Sequence, residues 1–145
     1  MLASGRGEIL TPLPGLPVCY LVLAKPKISV STAWVYQHYH SKGVQQRPDT
    51  KAMLSLLGKK DLQGVAGEIC NVLESVTIPC YPEIALLKRQ MREFGAIASM
   101  MSGSGPTVFG MMPDKKAAES AAEKIKSENK DTVEVFVAKT IQGVK

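Results

Sequence analysis

A run of glycine, serine and proline between two apolar stretches constrains this chain more than any other part of its sequence. The run is MSGSGPTVFG, residues 101–110, and the apolar stretches, residues 96–101 and 108–112, have the composition of buried strands. Glycine reaches positive φ without a steric penalty, and Pro106 fixes its own φ, so the segment between the strands can turn tightly. The sequence therefore predicts a strand, a rigid glycine turn and a second strand.

This turn has both a structural and a functional interpretation. As a structural element it is an ordinary connection between strands, because a Gly-x-Gly pattern alone has low specificity. As a functional element, its consecutive backbone N–H groups can converge on an anion, with the Ser102, Ser104 and Thr107 hydroxyls as further donors. The functional interpretation predicts a phosphate or polyphosphate contact, and the residues of the turn leave both interpretations open.

Length and composition favour one domain without a membrane span or a disulfide scaffold. The chain has 145 residues, enough for one core, with no apolar run long enough to cross a bilayer and no leader-like N-terminus. We therefore expect a cytoplasmic protein. The three cysteines are scattered and odd in number, and neither they nor His38 and His40 have the spacing of a metal site, so no bound metal is expected.

The charge of the chain favours a small anionic ligand over nucleic acid. The formal net charge is +5, but the lysines and arginines are spread out and form no stripe interleaved with aromatic residues. Nucleic acid is therefore not an expected partner. A mild positive field suits an anionic small molecule, without identifying one.

Apolar runs and helix-capping residues predict alternating strands and helices. Residues 18–24 (VCYLVLA) predict a strand buried on both faces, because the run is almost continuously apolar. Residues 132–139 alternate as a last strand, and residues 1–15, rich in glycine and proline, predict an extended crossing segment. Helices are predicted after capping or first-turn residues at Ser31 or Thr32, Asp49, Asp61, Pro82 and Asp114, and over residues 33–40 and 71–76.

The order of these elements predicts the fold class. A strand is followed by several helices, the glycine hairpin, one helix and a final strand. This order is typical of an α+β fold, a ferredoxin-like α/β sandwich in which helices pack on a mostly antiparallel sheet.

The residues alone predict no catalytic group in this chain. There is no G-x-S-x-G elbow and no G-x-x-x-x-G-K-[ST] loop, and the aspartates lie where helix capping or loop solvation explains them. Tyr36 has two interpretations, because an aromatic side chain on a short helix either packs into the core or offers its face to a planar base.

Four segments resemble one enzyme family in order and spacing. They are LASGRGE (residues 2–8), the stretch from Ala24-Lys25-Pro26 through Val30-Ser31-Thr32 to Val35-Tyr36, NVLESV (residues 71–76) and MSGSGPTVF (residues 101–109). Together they resemble the C-terminal half of the 4-diphosphocytidyl-2-C-methyl-D-erythritol kinases, which belong to the GHMP kinase superfamily. The glycine motif alone would indicate only the superfamily.

The resemblance implies a function and a set of site residues. The implied reaction is ATP-dependent phosphorylation, with ATP and Mg2+, of the 2-hydroxyl of a cytidine diphosphate-linked methylerythritol in the non-mevalonate isoprenoid pathway. Tyr36 matches an aromatic that stacks on the cytosine, and Thr32 matches a position that lines the substrate. Gly103, Ser104, Gly105 and Thr107 match the family's loop that lies beside the substrate and the transferred phosphate.

The resemblance also implies that the active site needs more than these residues. The family's ATP-binding loop, first-motif lysine and general-base aspartate have no counterpart here, so we expect this chain alone to be inactive. On this interpretation residues 1–15 are a remnant of the crossover from the N-terminal half, residues 16–145 are the C-terminal domain, and the exposed interdomain face invites a homodimer. Two alternatives are a non-catalytic ferredoxin-like module that binds an anionic nucleotide and a structural fragment with no ligand.

Overall fold

Strands and helices alternate along the chain in the order that the sequence predicts. The structure is a computed structural model that describes residues 1–40, 44 and 46–141. Its strands are β1 Leu2–Ser4, β2 Ile9–Thr11, β3 Tyr20–Pro26, β4 Ala98–Met101, β5 Val108–Met112 and β6 Val133–Lys139. Its helices are α1 Thr32–His38, α2 Thr50–Gly58, α3 Leu62–Glu68, α4 Glu74–Cys80, α5 Pro82–Glu93 and α6 Lys115–Asn129, followed by a 3-10 turn at Lys130–Thr132.

The main sheet has the strand order β4-β5-β3-β6, and every neighbouring pair is antiparallel. The strands follow one another along the chain as β3, β4, β5 and β6, so the order across the sheet is that of a ferredoxin-like sandwich. The predicted fold class is therefore confirmed. The predicted hairpin is β4 and β5, joined by the glycine turn.

Burial of the central strand β3 alternates, which corrects the prediction of a strand buried on both faces. Val22 and Ala24 are fully buried, whereas Leu21 and Leu23 between them are only partly buried. The strand also begins two residues later than predicted and continues through Pro26. Alternation arises because α5 and α6 pack on the face that carries Val22 and Ala24, while the face that carries Leu21 and Leu23 is covered only in part.

The covered face carries the main core. Helix α5 contributes Ile84, Leu87 and Met91 at the predicted helical spacing, and they pack with the buried residues of β3 and β5. Helix α6 packs there mainly through alanines, whose small side chains allow the helix to approach the sheet closely. A second, smaller cluster lies on the other face, where Ala66 of α3 packs against Cys19, Ala98 and Met111.

The predicted helix caps are confirmed, and some element boundaries are corrected. The side chains of Ser31, Asp49, Asp61 and Asp114 each accept a hydrogen bond from the first turn of a helix. The helix predicted over residues 71–76 instead begins at Glu74 and includes Pro79 in its last turn. Residues 1–15 do not cross as one extended segment, because β1 and β2 pair as a small antiparallel hairpin.

The remaining boundary differences are small. Helix α1 ends at His38, so His40 lies outside the helix predicted over residues 33–40, and β4 begins at Ala98 rather than at residue 96. Among the described residues, no helix has the length and apolar character needed to span a bilayer.

Candidate functional site: the glycine loop and its supports

The glycine loop, residues 102–107, begins with a tight turn that only glycine accommodates easily. The N–H of Gly105 donates to the carbonyl oxygen of Ser102 at 3.0 Å, which closes a four-residue turn. Gly103 occupies the first central position of this turn with φ of +56°. Gly105 follows with φ of +88°, so both glycines are in the left-handed region that side chains disfavour.

The N–H groups of the loop fall into two classes. The N–H of Ser102 donates to the carbonyl oxygen of Thr107 at 2.8 Å, and that of Gly105 is used in the turn. Those of Gly103, Ser104 and Thr107 have no hydrogen-bond partner within the part of the chain that the structure describes. Only these three N–H groups of the loop can donate to an anion without breaking an internal hydrogen bond, and the N–H groups of Ser102 and Gly105 cannot.

Three side chains from the α4 region form hydrogen bonds with the backbone of the loop and of Met101 just before it. The Asn71 amide nitrogen donates to the carbonyl oxygens of Met101 and Gly103, both at 2.8 Å. Thr77, which is fully buried, donates through Oγ1 to the carbonyl oxygen of Ser104 at 3.2 Å. A Glu74 carboxylate oxygen accepts the N–H of Met101 at 2.8 Å, so the side chains of Asn71 and Glu74 together replace a neighbouring strand at this edge of β4.

Sequence reasoning noted the NVLESV segment only as part of a family resemblance and assigned it no role in the site. A signal for one was present, because Asn71, Glu74 and Thr77 recur every three residues and therefore lie on one side of a helical turn. Lys88 of α5 adds to the arrangement, since its Nζ lies 2.6 Å from the second oxygen of Glu74. The network ties two helices to the loop.

Helix α1 brings the predicted substrate-lining residues next to the loop. The Thr32 and Ser104 hydroxyl oxygens are 2.8 Å apart and share a hydrogen bond, so two predicted site residues are in direct contact. Tyr36 lies one helical turn after Thr32, on the same side of α1, and is 62% exposed. Val35, which lies between these two residues in the chain, is fully buried and anchors the helix to the core.

The exposure of Tyr36 distinguishes it from the other aromatic residues nearby. Trp34 and Tyr39 are partly buried against the core, and Trp34 also stacks on the His38 ring with 4.3 Å between centroids. Trp34 and Tyr39 therefore pack on the core, whereas Tyr36 does not and remains largely exposed.

A cleft of about 580 Å³ is lined in part by Asn71 and Glu74. Its lining includes Cys70, Lys88 and Arg92 but none of residues 102–107. Burial raises the pKa of the Cys70 thiol, the nearby Glu74 carboxylate raises it further, and Lys88 acts in the opposite direction. The Cys70 thiol is therefore not an activated nucleophile.

The fold and the loop define a class of protein domain, a ferredoxin-like sandwich with a glycine loop between β4 and β5 that leaves several N–H groups unpaired within the described residues. The family model described as "GHMP kinases C terminal" matches residues 53–131, more than half of the chain. The chain therefore belongs to this family.

Particular relatives narrow the likeness further. The chain is 49% identical over 116 residues to the 4-diphosphocytidyl-2-C-methyl-D-erythritol kinase of Lachnospira eligens, covering 80% of the chain and 40% of that protein. It is 42% identical over 147 residues to the enzyme of the same name from Gloeobacter violaceus, covering 98% of the chain and 48% of that protein. The chain thus spans less than half the length of these relatives.

Solved structures agree with the sequence relatives. A crystal structure of 4-(cytidine 5'-diphospho)-2C-methyl-D-erythritol kinase superposes with a TM-score of 0.77 at 27% identity, covering 96% of this chain and 48% of that one. Mevalonate kinase from L. major has a TM-score of 0.68 at 17% identity, which shows the shared fold alone.

Proposed function

We propose that this chain is the substrate-side domain of an ATP-dependent kinase that phosphorylates the 2-hydroxyl of 4-diphosphocytidyl-2-C-methyl-D-erythritol. The similar enzymes carry that kinase name, and the chain corresponds to less than half of each. We also keep the expectation of a cytoplasmic location, where ATP and nucleotide-linked substrates are available.

The contact between Thr32 and Ser104 carries this proposal. It joins the helix that presents an exposed tyrosine to the loop that presents unpaired N–H groups, at 2.8 Å between hydroxyl oxygens. A pyrimidine nucleotide with a diphosphate has the matching chemistry, a planar base at one end and anionic oxygens at the other. Tyr36 would stack on the base, Thr32 would line the substrate, and the loop would face the phosphate groups.

Within the loop the proposed roles differ from residue to residue. The N–H groups of Gly103 and Ser104 would donate to phosphate oxygens, since neither has a partner within the described part of the chain. Gly105 would shape the turn rather than donate, because its N–H is already used. The Thr107 hydroxyl would add a donor on the exit side.

The remaining machinery of phosphoryl transfer would come from the part of the relatives that this chain does not span. That machinery must position ATP and neutralise charge on the transferred phosphate. Among residues 1–40, 44 and 46–141, no group of three or more His, Cys, Asp or Glu side chains is placed to hold a metal ion. We propose that Mg2+ enters with ATP on that other part. By itself the chain would bind substrate without turnover.

The less covered face of the sheet is the proposed contact with that other part. Strand pairing places Met100, Phe109, Leu23 and Phe136 side by side across the four strands on this face. Phe136 is 57% exposed, and the row lies two residues along β4 and β5 from Ser102 and Thr107. Without its other part, the chain would associate with a second copy through this apolar row.

The test of substrate binding is a titration of the chain with cytidine 5′-diphosphate, followed by amide chemical shifts. Tyr36→Ala should weaken binding about 5-fold to 100-fold, as expected for one stacked base. Leu86→Ala is the control, because this exposed apolar side chain lies on α5, outside both the proposed site and the apolar row, and should leave the affinity unchanged. Equal loss of affinity in both variants, or no binding by the parent chain, would contradict the proposal.

The alternative function, a non-catalytic module that binds an anionic nucleotide, is favoured by one observation. The loop is complete within this chain, so binding requires nothing further. Mixing the chain with the N-terminal half of the Lachnospira eligens kinase separates the two functions. Restored ATP-dependent phosphorylation supports the kinase domain, and nucleotide binding without restored turnover supports the module.

Sedimentation of the mixture shows whether self-association through the Phe136 row is lost when the other half binds.

A further inference from the structure

One peptide group of the glycine loop is oriented by the Asn71 side chain. A trans peptide unit is planar, and its C=O and N–H bonds point in opposite directions. The carbonyl oxygen of Gly103 accepts from the Asn71 amide at 2.8 Å, so the N–H of Ser104, which belongs to the same peptide unit, points away from Asn71. That N–H has no partner within the described residues.

The neighbouring peptide units follow the same rule. The carbonyl oxygen of Met101 also accepts from Asn71, and the N–H of Ser102 on the opposite side donates across the loop to Thr107. The carbonyl oxygen of Ser104 accepts from Thr77, and the N–H of Gly105 opposite closes the turn. Of the three N–H groups oriented in this way, those of Ser102 and Gly105 have internal partners and that of Ser104 is free.

We infer that Asn71 is a positioning residue whose amide directs the Ser104 N–H toward the anionic group of the substrate. The inference rests on the proposed function for the identity of that group, a nucleotide phosphate. Asn71 acts through the loop, because its own amide faces the carbonyl side and not the side on which the free N–H lies.

The bonding of Asn71 suits it to this role. Its amide nitrogen has two donor hydrogens and serves two carbonyl groups, while Oδ1 accepts the N–H of Leu73 at 3.0 Å. Aspartate has the same shape and can still accept from Leu73, but it cannot donate to the loop. Asn71→Asp therefore removes the hydrogen bonds to the loop but keeps the hydrogen bond from Leu73 before α4.

The chain offers a matched control in Asn129. Its amide also makes two hydrogen bonds while partly buried, to Gln90 Oε1 at 2.9 Å and to the carbonyl oxygen of Ile125 at 2.8 Å. These bonds lie at the end of α6 and touch no residue of the loop. Asn129→Ala therefore removes the same chemical group with a comparable structural role and without an effect on the loop.

The experiment measures the ordering of the Ser104 N–H by ¹⁵N relaxation, and the affinity for inorganic pyrophosphate by amide shifts. In the parent chain we expect an order parameter of about 0.85, and below about 0.6 in Asn71→Ala and Asn71→Asp. Pyrophosphate affinity should fall about tenfold in both, the worth of one hydrogen bond to a charged group. Asn129→Ala should change neither quantity.

The outcomes are distinguishable from those of the proposed function. A Ser104 N–H that stays equally ordered in the Asn71 variants, or that loosens equally in Asn129→Ala, would overturn the inference. If the parent chain binds neither pyrophosphate nor cytidine 5′-diphosphate while only the Asn71 variants loosen Ser104, the positioning role stands and the phosphate assignment fails. Should Asn71→Ala not fold, Asn71→Asp gives the same measurement with the Leu73 bond retained.

Discussion

Replacing Gly105 by alanine tests the packing of the glycine loop most sharply. A Cβ at this position would lie 2.8 Å from the Met101 sulfur, 3.4 Å from Met101 Cγ and 3.5 Å from Ile84 Cδ1. Met101 and Ile84 are both fully buried, so neither side chain can move into solvent. The residue also has φ of +88°, a conformation that alanine adopts only with strain.

Gly103 provides the matched control for separating strain from overlap. It shares the positive φ, at +56°, but a Cβ there would meet no atom within 4 Å. Backbone strain alone should cost about 1–2 kcal/mol in either variant. Overpacking against a filled core adds about 1–3 kcal/mol at Gly105, so its total loss of unfolding free energy should be about 2–5 kcal/mol.

Urea unfolding followed by circular dichroism measures both losses, and a double-mutant cycle assigns the overlap. In the Met101→Ala background, where the clashing sulfur is gone, Gly105→Ala should lose about 1–3 kcal/mol less than in the parent chain. Equal destabilisation by Gly103→Ala and Gly105→Ala, or strict additivity with Met101→Ala, would refute this account of the loop.

Two further predictions concern polar groups near the loop. Ser99 is 4% exposed, and its hydroxyl has no partner in the part of the chain that the structure describes, so Ser99→Ala should leave unfolding free energy unchanged or raise it by up to about 1 kcal/mol; a loss above about 1 kcal/mol would reveal an unrecognised hydrogen bond. Glu74→Ala should cost about 1.5–3 kcal/mol, because it unpairs the Met101 N–H and Lys88, whereas Glu93→Ala, which breaks an exposed pair at 3.6 Å, should cost less than about 1 kcal/mol. Similar urea midpoints for the two variants would contradict the difference.

Local signals in the sequence were sufficient for most of the fold. Capping side chains at Ser31, Asp49 and Asp114 mark helix starts within a residue, because a first turn needs acceptors for its N–H groups. The apolar spacing of α5 identifies its buried face. These features depend on residues only a few positions apart, so the local sequence is enough to predict them.

Features that depend on distant residues were not predicted. Whether Leu21 and Leu23 are buried depends on what covers the second face of the sheet, which the composition of β3 does not reveal. The role of Asn71 likewise depends on a loop about 30 residues further along the chain. A single side chain that donates to backbone carbonyl groups produces no hydrophobic periodicity. The only signal in the sequence is the spacing of three residues between Asn71, Glu74 and Thr77, which places them on one side of a helical turn.

Within the candidate site, the sequence identified the residues whose hydroxyl groups contact each other, but not which backbone N–H groups of the loop lack a partner. Thr32 and Ser104 were both candidates, and the fold joins them directly. The glycine pattern did not show that the N–H groups of Ser102 and Gly105 are used inside the loop. Those bonds follow from the turn type, which the φ angles of Gly103 and Gly105 define.

The proposed site also sets a limit on how tightly this chain can bind a nucleotide. Three hydrogen bonds to charged oxygens, from the N–H groups of Gly103 and Ser104 and the hydroxyl of Thr107, contribute about 4.5–9 kcal/mol, and one stacked base contributes about 1–3 kcal/mol. Lost translational and rotational freedom costs at least about 4 kcal/mol, which leaves roughly 1.5–8 kcal/mol and a Kd no tighter than the low micromolar range. The side chains that hold the loop already make their hydrogen bonds, so binding requires little further ordering of the loop. The limit on affinity therefore reflects the small number of contacts that this chain can make to a nucleotide. A submicromolar Kd for cytidine 5′-diphosphate would show that groups outside the loop and Tyr36 contribute most of the affinity.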